Sequence, residues 1–302
     1  MVLPCQMAVT AWDLSSPQAL AQIPEQARQA EVLGFSGFWL PEHHFQGGAS
    51  LSAPLILLAG CASVTRTIDL GTTSLLLPIR NPTALAEETA TLDVLAGGRL
   101  ILGLGRGVDE RLFQVFDLEV KEKRKLFKTA LLAMLSAWRG ESLLADDSVI
   151  LSPRPAQHPH PRLWIAAFGP LALKQAAHFG CPYLASPMES LSQLKTNLDI
   201  YHEALETEGQ PRPDKVPIMR TIFITENPQQ AQAIKHRLSE QLRSADPVEP
   251  PYWVGSKGFV EDQLHAHIET LGMNYLIARG RIPGVSVSDQ IASHETLLTL
   301  AG

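Results

Sequence analysis

Short apolar runs alternate along the chain with longer stretches in which apolar residues recur with a helical period of about 3.6. The short runs predict eight strands, at residues 6–10, 37–40, 69–77, 100–104, 163–167, 183–185, 218–224 and 275–278. The longer stretches predict eight helices, at residues 17–33, 52–63, 83–95, 121–138, 171–179, 191–208, 228–243 and 258–271. Eight alternating units of this kind are typical of an α/β protein and predict one (β/α)₈ TIM barrel, a single domain of residues 1–302. A doubly wound open sheet is the alternative, because closure of a sheet leaves no mark in a sequence.

Two stretches interrupt this alternation. Residues 152–161 (SPRPAQHPHP) are rich in proline, which cannot donate to helix or sheet hydrogen bonds, and we expect them to be extended. Residues 245–257 (ADPVEPPYWVGSK) are expected to form a long loop of the kind that often covers a site. Neither stretch is long enough to be a second domain.

Charge and cysteine content narrow the expected partners and compartment. The formal net charge is −6, and the densest basic run, Lys121, Lys123, Arg124 and Lys125, falls on a predicted helix. We therefore expect a solvated helix face there and no nucleic-acid partner. The three cysteines have neither CxxC nor metal-ligand spacing and are expected to be buried thiols in a reducing compartment. No basic and apolar leader opens the sequence and no apolar run has the length of a membrane span, so we expect a cytoplasmic protein without membrane contact.

The residues that follow the predicted strands are the candidates for chemistry, because a barrel carries its active site at the carboxyl ends of its strands. Strand 37–40 leads into Glu42, His43, His44 and Phe45, which places a carboxylate and two imidazoles at the barrel mouth. Imidazole suits proton transfer near neutral pH. One alternative is that the histidines only hydrogen-bond loop backbone. A metal site is another, but adjacent residues cannot easily point at one ion and no HExxH or CxxC partner occurs, so no metal is expected.

A phosphate-binding candidate follows strand 100–104. Arg106 stands between Gly105 and Gly107, and glycines let the backbone approach a ligand while a guanidinium matches the geometry of a phosphate. Val108 excludes a dinucleotide GxGxxG motif, and no Walker lysine follows.

Two more segments suit a planar, phosphorylated ligand. The helix after strand 163–167 begins with the sequence FGPL at 168–171, and the N–H groups of a helix start suit the same phosphate, although the segment is equally an ordinary helix start. Small hydroxylated residues at Thr72, Thr73 and Ser74 leave room for a flat ring, although threonine also simply suits a strand.

Taken together, these motifs resemble the luciferase-like flavin-dependent monooxygenases, the superfamily of bacterial luciferase. The likeness rests on WLPEHHF at 39–45, GTTS at 71–74, LD at 92–93, GGR at 97–99 and GRG at 105–107, in the same order and at similar spacing. It covers most of residues 1–185 and resumes more weakly at 255–279.

This resemblance implies an enzyme, an oxidoreductase whose barrel binds reduced FMN. A separate NAD(P)H-dependent flavin reductase would supply that FMN in a two-component system, so the reductase is a transient partner. Oxygen would add to the flavin, and the resulting C4a-peroxide would transfer one oxygen atom to a small organic substrate. Barrels of this family often pair through their second and third helices, so we expect a homodimer.

The resemblance also implies a role for each site residue. His43 is the candidate acid/base, and Glu42 and His44 orient it or line the pocket. Thr73 and Ser74 match the pair beneath the flavin ring, where the family often has a non-proline cis peptide bond. The cofactor's phosphate is assigned to Arg106, Gly107, Gly169, Pro170 and Leu171. The substrate pocket is expected to be lined by Trp12, Phe45, Trp253 and Arg279.

The chain also departs from the family pattern. Gly105 stands where bacterial luciferase has a cysteine, so thiol-linked behaviour is not expected. Residues 168–172 lack the serine or threonine with which several relatives hold phosphate, so backbone N–H groups would replace them and the flavin would be held loosely. Three other functions stay open: a deazaflavin (F420)-dependent oxidoreductase that transfers hydride, a non-catalytic flavin-binding barrel, and a metal-dependent barrel hydrolase.

Overall fold

The computed structural model describes residues 5–45, 50–146, 148–241 and 249–300. In these ranges the strands are β1 Gln6–Thr10, β2 Gly37–Leu40, β3 Asp69–Thr72, β4 Leu75–Leu76, β5 Leu100–Gly105, β6 Arg162–Ala166, β7 Tyr183–Leu184, β8 Pro217–Ile224, β9 Tyr252–Gly255 and β10 Tyr275–Ala278. The helices are α1 Pro17–Ala21, α2 Ile23–Leu33, α3 Pro54–Val64, α4 Pro82–Leu95, α5 Glu110–Val115, α6 Lys123–Arg139, α7 Pro170–His178, α8 Leu191–Thr207, α9 Pro228–Gln241, α10 Lys257–Leu271 and α11 Val287–Leu298.

The described chain divides into two compact units. One comprises residues within 1–13, 29–39 and 165–302, and the other residues within 14–28 and 40–164. The single domain expected from the sequence stays a prediction.

The first unit contains a run of parallel strands in the order β2-β1-β10-β8-β9. In its register Val9 lies opposite Phe38 on one side and Ala278 on the other. Ile165 of β6 pairs with Tyr183 of β7 in the same unit. Every residue of β2 and β10 is buried, as expected for parallel strands covered on both faces, which read as continuous apolar runs in a sequence.

In the second unit β3 and β4 both pair with β5, with Leu70 opposite Leu100 and Leu75 opposite Leu104. The prediction of one strand over 69–77 was therefore wrong. The strand is interrupted at Thr73–Ser74, whose peptide bond is cis. After β4 the chain forms a short 3₁₀ turn over Leu77–Ile79.

All strand pairings named here are parallel and helices separate most of the strands, which confirms the α/β part of the fold prediction. Within the described residues no pairing returns the strands to a closed cylinder. The closed (β/α)₈ barrel therefore stays an expectation.

Local sequence explains most helix bounds. The side chain of Asn81 accepts hydrogen bonds from two free N–H groups at the start of α4, and Ser190 forms a capping box with Gln193 at the start of α8. The predicted helix 17–33 is broken into α1 and α2 just before Pro24, since proline cannot donate the hydrogen bond that would continue the first helix.

Other boundaries differ from the predictions for identifiable reasons. Strand β9 falls inside the stretch 245–257, which was predicted to be a loop and of which 245–248 lie outside the described residues. Its aromatic and β-branched residues are typical of a strand, but they directly follow two prolines, which favour a loop, and the strand was therefore not predicted. Helices α5 and α11 were also missed. The proline-rich residues 152–161 form no helix or strand, but bends at 152–153 and 156–161 take the place of the extended segment that was predicted.

The three cysteines are buried and free, as predicted. Burial raises the pKa of each thiol to about 12, so none is a reactive thiolate at neutral pH. No helix in the part of the chain that the structure describes is both long and apolar enough to cross a membrane.

Two buried histidines in the first unit are held neutral. Trp12 donates its indole N–H to Nδ1 of His294 at 3.0 Å, an acceptor role that only neutral imidazole can take. Burial lowers the pKa of His294 from its ordinary value of 6.5 to about 4. Burial, followed by the charge of Arg220, lowers the pKa of His267 to about 3.

We expect these histidines to make the fold sensitive to acid. A group whose pKa is depressed by folding contributes stability that is complete above its unfolded pKa of 6.5 and is lost as the pH falls toward the folded value. Between pH 6.5 and pH 4 the melting temperature of the wild-type chain should therefore drop by several degrees more than that of His294→Gln. Thermal unfolding followed by circular dichroism tests this, with the exposed His265→Gln as control. Parallel pH profiles for the wild type and His294→Gln would contradict the assignment.

Candidate active site

A buried carboxylate organises the residues that follow β2. The side chain of Glu42 has no exposed surface and accepts three hydrogen bonds. Its donors are Nη2 of Arg80 at 2.5 Å, the backbone N–H of Leu76 at 2.6 Å and Nε2 of His44 at 2.8 Å. A buried carboxylate is stable only when its lone pairs are met by donors, so this arrangement fixes the segment to β4 and to the turn beyond it.

The structure pairs Glu42 with His44, whereas His43 is the histidine predicted to be the acid/base. The backbone N–H of His43 donates to the carbonyl of Leu51 at 2.9 Å, while its side chain lies on the exposed side of the segment. Successive residues of an extended chain point to opposite sides, so Glu42 and His44, two positions apart, lie on the same side of the segment. The catalytic role of His43 stays a prediction.

Aromatic rings surround His44 in the same unit. Its ring lies 5.7 Å from the ring of Phe45 and 5.7 Å from that of Phe116, and the two phenylalanine rings are 6.4 Å apart. Phe45 is 65% exposed and Phe116 39% exposed, so both present apolar surface beside the imidazole. Phe45 was predicted to line the substrate pocket, whereas Phe116 was not identified; its signal was a second aromatic residue shortly after the Arg106 motif.

Thr73 and Ser74 lie against β5. Thr73 donates its backbone N–H to the carbonyl of Leu40 at 2.8 Å, and the Thr73–Ser74 peptide bond is cis. A Cβ atom placed on Gly105 would stand 2.0 Å from Oγ and 2.9 Å from Cβ of Ser74. This contact gives a physical reason for the glycine at the position where bacterial luciferase has a cysteine.

Arg106 is a half-buried cation without an acidic partner among the described residues. Burial lowers the pKa of its guanidinium, and the nearby charge of Arg124 lowers it further. A desolvated cation beside a second cation favours an anionic ligand. Gly107, with a φ of 71°, carries the chain past this site in a backbone conformation that suits glycine. Arg124 was predicted to belong to a solvated helix face and was not identified as a site residue.

The start of α7 lies in the first unit and has no side-chain cap. Gly169 adopts φ 82° and ψ 164°, and Pro170 occupies the first turn. Phe168 and Leu171 are 70% and 62% exposed. The backbone N–H groups of Ala172 and Leu173 both donate to the carbonyl of Gly169. An uncapped helix start is compatible with the predicted phosphate contact of Gly169, Pro170 and Leu171, which stays a prediction.

The remaining residues predicted for the substrate pocket belong to the interior of the first unit. Trp12 is 2% exposed and Trp253 is 1% exposed, the latter packed against His267 with ring centres 4.7 Å apart. Arg279 is half-buried and donates to Oγ1 of Thr221 at 3.3 Å. Burial lowers the pKa of Arg279. Sequence alone cannot separate a core tryptophan from a pocket tryptophan, because both follow apolar strands.

Metal-ligating side chains do not cluster in the described ranges. No group of three or more His, Cys, Asp or Glu residues there has an arrangement that could hold a metal ion.

Comparison with known proteins gives a family match over most of the chain. The family described as luciferase-like monooxygenase matches residues 2–273. The uncharacterized protein y4vJ of Sinorhizobium fredii is 27% identical over 261 residues, which cover 84% of this chain and 74% of that protein. The oxygenase component of a flavin-dependent trigonelline monooxygenase from Acinetobacter baylyi is 23% identical over 74% of this chain and 64% of its own length. An alkanal monooxygenase alpha chain from Photorhabdus luminescens is 24% identical over 65% of this chain and 56% of its own, so the match spans less than two thirds of the last two relatives.

Solved structures share the fold. The oxygenating constituent of 3,6-diketocamphane monooxygenase from Pseudomonas putida, a type II Baeyer–Villiger monooxygenase in complex with FMN, superposes with a TM-score of 0.80 at 19% identity. That match covers 97% of this chain and 96% of the other. An F420-dependent secondary alcohol dehydrogenase in complex with an F420–acetone adduct has a TM-score of 0.80 at 17% identity, covering 99% of this chain and 100% of its own.

The contact between Gly105 and Ser74 predicts a compensating pair of substitutions. Gly105→Ala should lower stability by about 1–3 kcal/mol, because the new methyl group overlaps the side chain of Ser74. Adding Ser74→Gly should recover most of the loss, since it removes both contacting atoms. Thermal unfolding checks both variants against Gly258→Ala, where an added Cβ meets nothing within 4 Å. A Gly105→Ala variant as stable as Gly258→Ala would refute the contact.

Proposed function

The chain belongs to the luciferase-like monooxygenase family, and from that premise we propose that it is the oxygenase component of a two-component system. It would use reduced FMN, delivered by a separate reductase, together with O₂ to transfer one oxygen atom to a small organic substrate. A closed (β/α)₈ barrel, as expected from the sequence, would be its scaffold. The observation that carries the proposal is the family match over residues 2–273, which includes Glu42, the two histidines after it, and Arg106.

The residues of the second unit fit a phosphorylated flavin. Arg106 supplies a positive charge that no acidic residue in the described chain neutralises. Gly105 and Gly107 pack against the side chains of Ser74 and Phe113, and the positive φ of Gly107 turns the chain directly after Arg106. Reduced FMN, when bound, would supply the electrons that activate O₂. Its phosphate would be held by Arg106 and the N–H of Gly107, while the start of α7 remains a predicted further contact.

Proton transfer would be the task of the histidines. His43 is placed at the exposed side of a segment whose position is fixed by the Glu42 hydrogen bonds, so its imidazole could give or take a proton on a bound substrate. Phe45 and Phe116 would cover the reacting centre and exclude water, because both expose apolar rings beside the second histidine. His44 would act as a positioning residue through its bond to Glu42.

A deazaflavin-dependent oxidoreductase is the second candidate function. It is favoured by the fold likeness to an F420-dependent secondary alcohol dehydrogenase, whose TM-score equals that of the FMN-bound neighbour. Equilibrium titrations with reduced FMN and with reduced deazaflavin separate the two candidates. Tighter binding of reduced FMN supports the oxygenase, and tighter binding of the deazaflavin supports hydride transfer without oxygen.

We also propose that the protein is a homodimer formed through α3. This helix, PLILLAGCASV, has no charged residue, and Ile56 and Val64 on it are 74% and 40% exposed. On the helix packed against it, Val94 and Leu95 are 49% and 59% exposed. Exposed apolar side chains on two helices that pack together favour association through that pair.

The dimer proposal predicts the oligomeric state of one surface variant. Ile56→Glu should be a monomer by light scattering after gel filtration, since a buried unpaired carboxylate opposes association. Leu132→Glu, a matched change at an apolar residue of α6 that is 47% exposed, should leave the dimer intact. A monomeric wild type, or a dimeric Ile56→Glu, would overturn the proposal.

Replacing Arg106 should weaken FMN binding through the phosphate alone. Arg106→Ala is expected to raise the Kd for FMN about tenfold to a hundredfold, the loss of one charge-assisted contact. The Kd for riboflavin, which lacks the phosphate, should change little. Fluorescence titration measures both, with Arg111→Ala on the exposed face of α5 as control. Equal losses for FMN and riboflavin would show that Arg106 does not contact the phosphate.

Replacing His43 should slow turnover without affecting FMN binding. With a substrate identified from a screen of aldehydes, ketones and heteroaromatic compounds, His43→Ala should lower kcat by about 10²–10⁴ and leave the Kd for FMN unchanged. His44→Ala should instead lower thermal stability, because it deprives Glu42 of a donor. Full turnover by His43→Ala would remove this residue from the mechanism.

A further inference from the structure

An open pocket of about 290 Å³ lies in the first unit, between the residue pair before α7 and the first two turns of α8. It is lined by Phe168, Gly169, Glu189, Ser192, Gln193, Thr196 and Asn197. Pockets that hold drug-sized ligands start at about 300 Å³, so this one has room for a fragment of one or two rings. Of its lining residues only Gly169 has been given a function above, as a predicted contact of the flavin phosphate.

The pocket offers an unpaired donor and an unpaired acceptor on one helix face. Gln193 uses its Oε1 to accept the backbone N–H of Ser190 at 2.9 Å, and Asn197 uses its Nδ2 to donate to Glu189. Neither Nε2 of Gln193 nor Oδ1 of Asn197 has a hydrogen-bond partner within the described chain. The two residues are four positions apart on α8 and therefore lie on the same face.

Glu189 holds the carboxamide of Asn197, which carries the acceptor, in place. Glu189 is fully buried and accepts from the hydroxyl of Tyr183 at 2.6 Å, from the backbone N–H of Ser186 at 2.7 Å, and from Asn197. Because its carboxylate is already met by these three donors, Glu189 has little left to offer a ligand. Its role is to fix the carboxamide of Asn197, which leaves the oxygen of that group available.

Charge and shape determine the class of ligand. No lysine or arginine lines the pocket, and the carboxylate of Glu249 bonds to the backbone N–H of Ser192 at 3.1 Å and to its hydroxyl at 2.5 Å. The buried guanidinium of Arg220 interacts electrostatically with both carboxylates, so the charges beside the pocket are balanced and favour an uncharged ligand over an anion or a cation. The ring of Phe168 is 70% exposed and can stack on a flat partner, a contact worth about 1–3 kcal/mol for a nucleobase.

We propose that this pocket is a subsite for a flat, uncharged heteroaromatic ring that presents a hydrogen-bond donor next to an acceptor, of which adenine is the model. The ring stacks on Phe168 and pairs its edge with Gln193 and Asn197. It has two possible sources. One source is the adenine of a dinucleotide flavin, because Gly169 lines the pocket and also opens the helix predicted to contact the flavin phosphate. This source rests on the proposed function. Alternatively, it belongs to a separate molecule such as the organic substrate.

The test compares binding of FAD and FMN to the free protein, and binding of adenosine to the protein both free and loaded with FMN, by titration calorimetry. Thr196→Trp fills the pocket from an exposed position of α8, and Lys195→Trp places the same side chain on the adjacent exposed position outside the pocket. Phe168→Ala removes the stacking surface and should weaken binding of the ring at least about fivefold.

A lower Kd for FAD than for FMN, lost in Thr196→Trp and kept in Lys195→Trp, supports the subsite and identifies the dinucleotide as its source. Equal Kd values for the two flavins, together with adenosine binding that Thr196→Trp abolishes, support the subsite for a separate molecule. Absence of both effects overturns the subsite. Failure of reduced FMN to bind overturns the proposed function instead, and the adenosine titration of the free protein still reports on the pocket.

Discussion

The candidate site depends on the hydrogen bonds that the buried carboxylate of Glu42 accepts. Removing a charged group from water is costly, and here the cost is met by a guanidinium, a backbone N–H and an imidazole, all within 2.8 Å. These bonds tie the segment after β2 to Leu76 and Arg80. The position of the two histidines, and of the aromatic rings beside them, follows from this one buried charge.

Arg106 presents the opposite case. Its guanidinium is partly removed from water, a second arginine lies close enough to lower its pKa, and no described carboxylate neutralises it. The buried carboxylate of Glu42 is thus met by donors of the protein itself, whereas the partly buried guanidinium of Arg106 has no acidic partner among the described residues. An anionic ligand is the natural partner of such a group, and the phosphate of a bound flavin is the partner proposed above.

Many of the helices and strands could be predicted because apolar periodicity and the glycine and proline residues that end an element are local properties of the sequence. Burial on both faces makes β2 and β10 continuous apolar runs, which can be recognised as strands in the sequence. The end of α10 is predictable because Gly272 adopts a left-handed conformation there. The family resemblance predicted a cis peptide bond at Thr73–Ser74, and the structure has one; the division of 69–77 into β3 and β4 was not predicted, because the apolar run continues across it.

The candidate site was predictable in its residue types and less so in its pairings. Glu42 and His44 were both named, but which histidine reaches the carboxylate depends on the direction of each side chain from an irregular segment. Phe116 was missed because its contact with His44 joins residues 72 positions apart, and an aromatic residue shortly after the Arg106 motif is equally typical of a core position. Trp12 and Trp253 resemble pocket residues in sequence and prove to be buried in the first unit.

The most direct test of the account is an anaerobic titration of the purified protein with reduced FMN, followed by admission of air while the flavin absorbance is recorded. The account predicts saturable binding and reoxidation of the bound flavin with kinetics distinct from those of free reduced FMN. No binding of reduced FMN, or reoxidation identical to that of the free flavin, would contradict it.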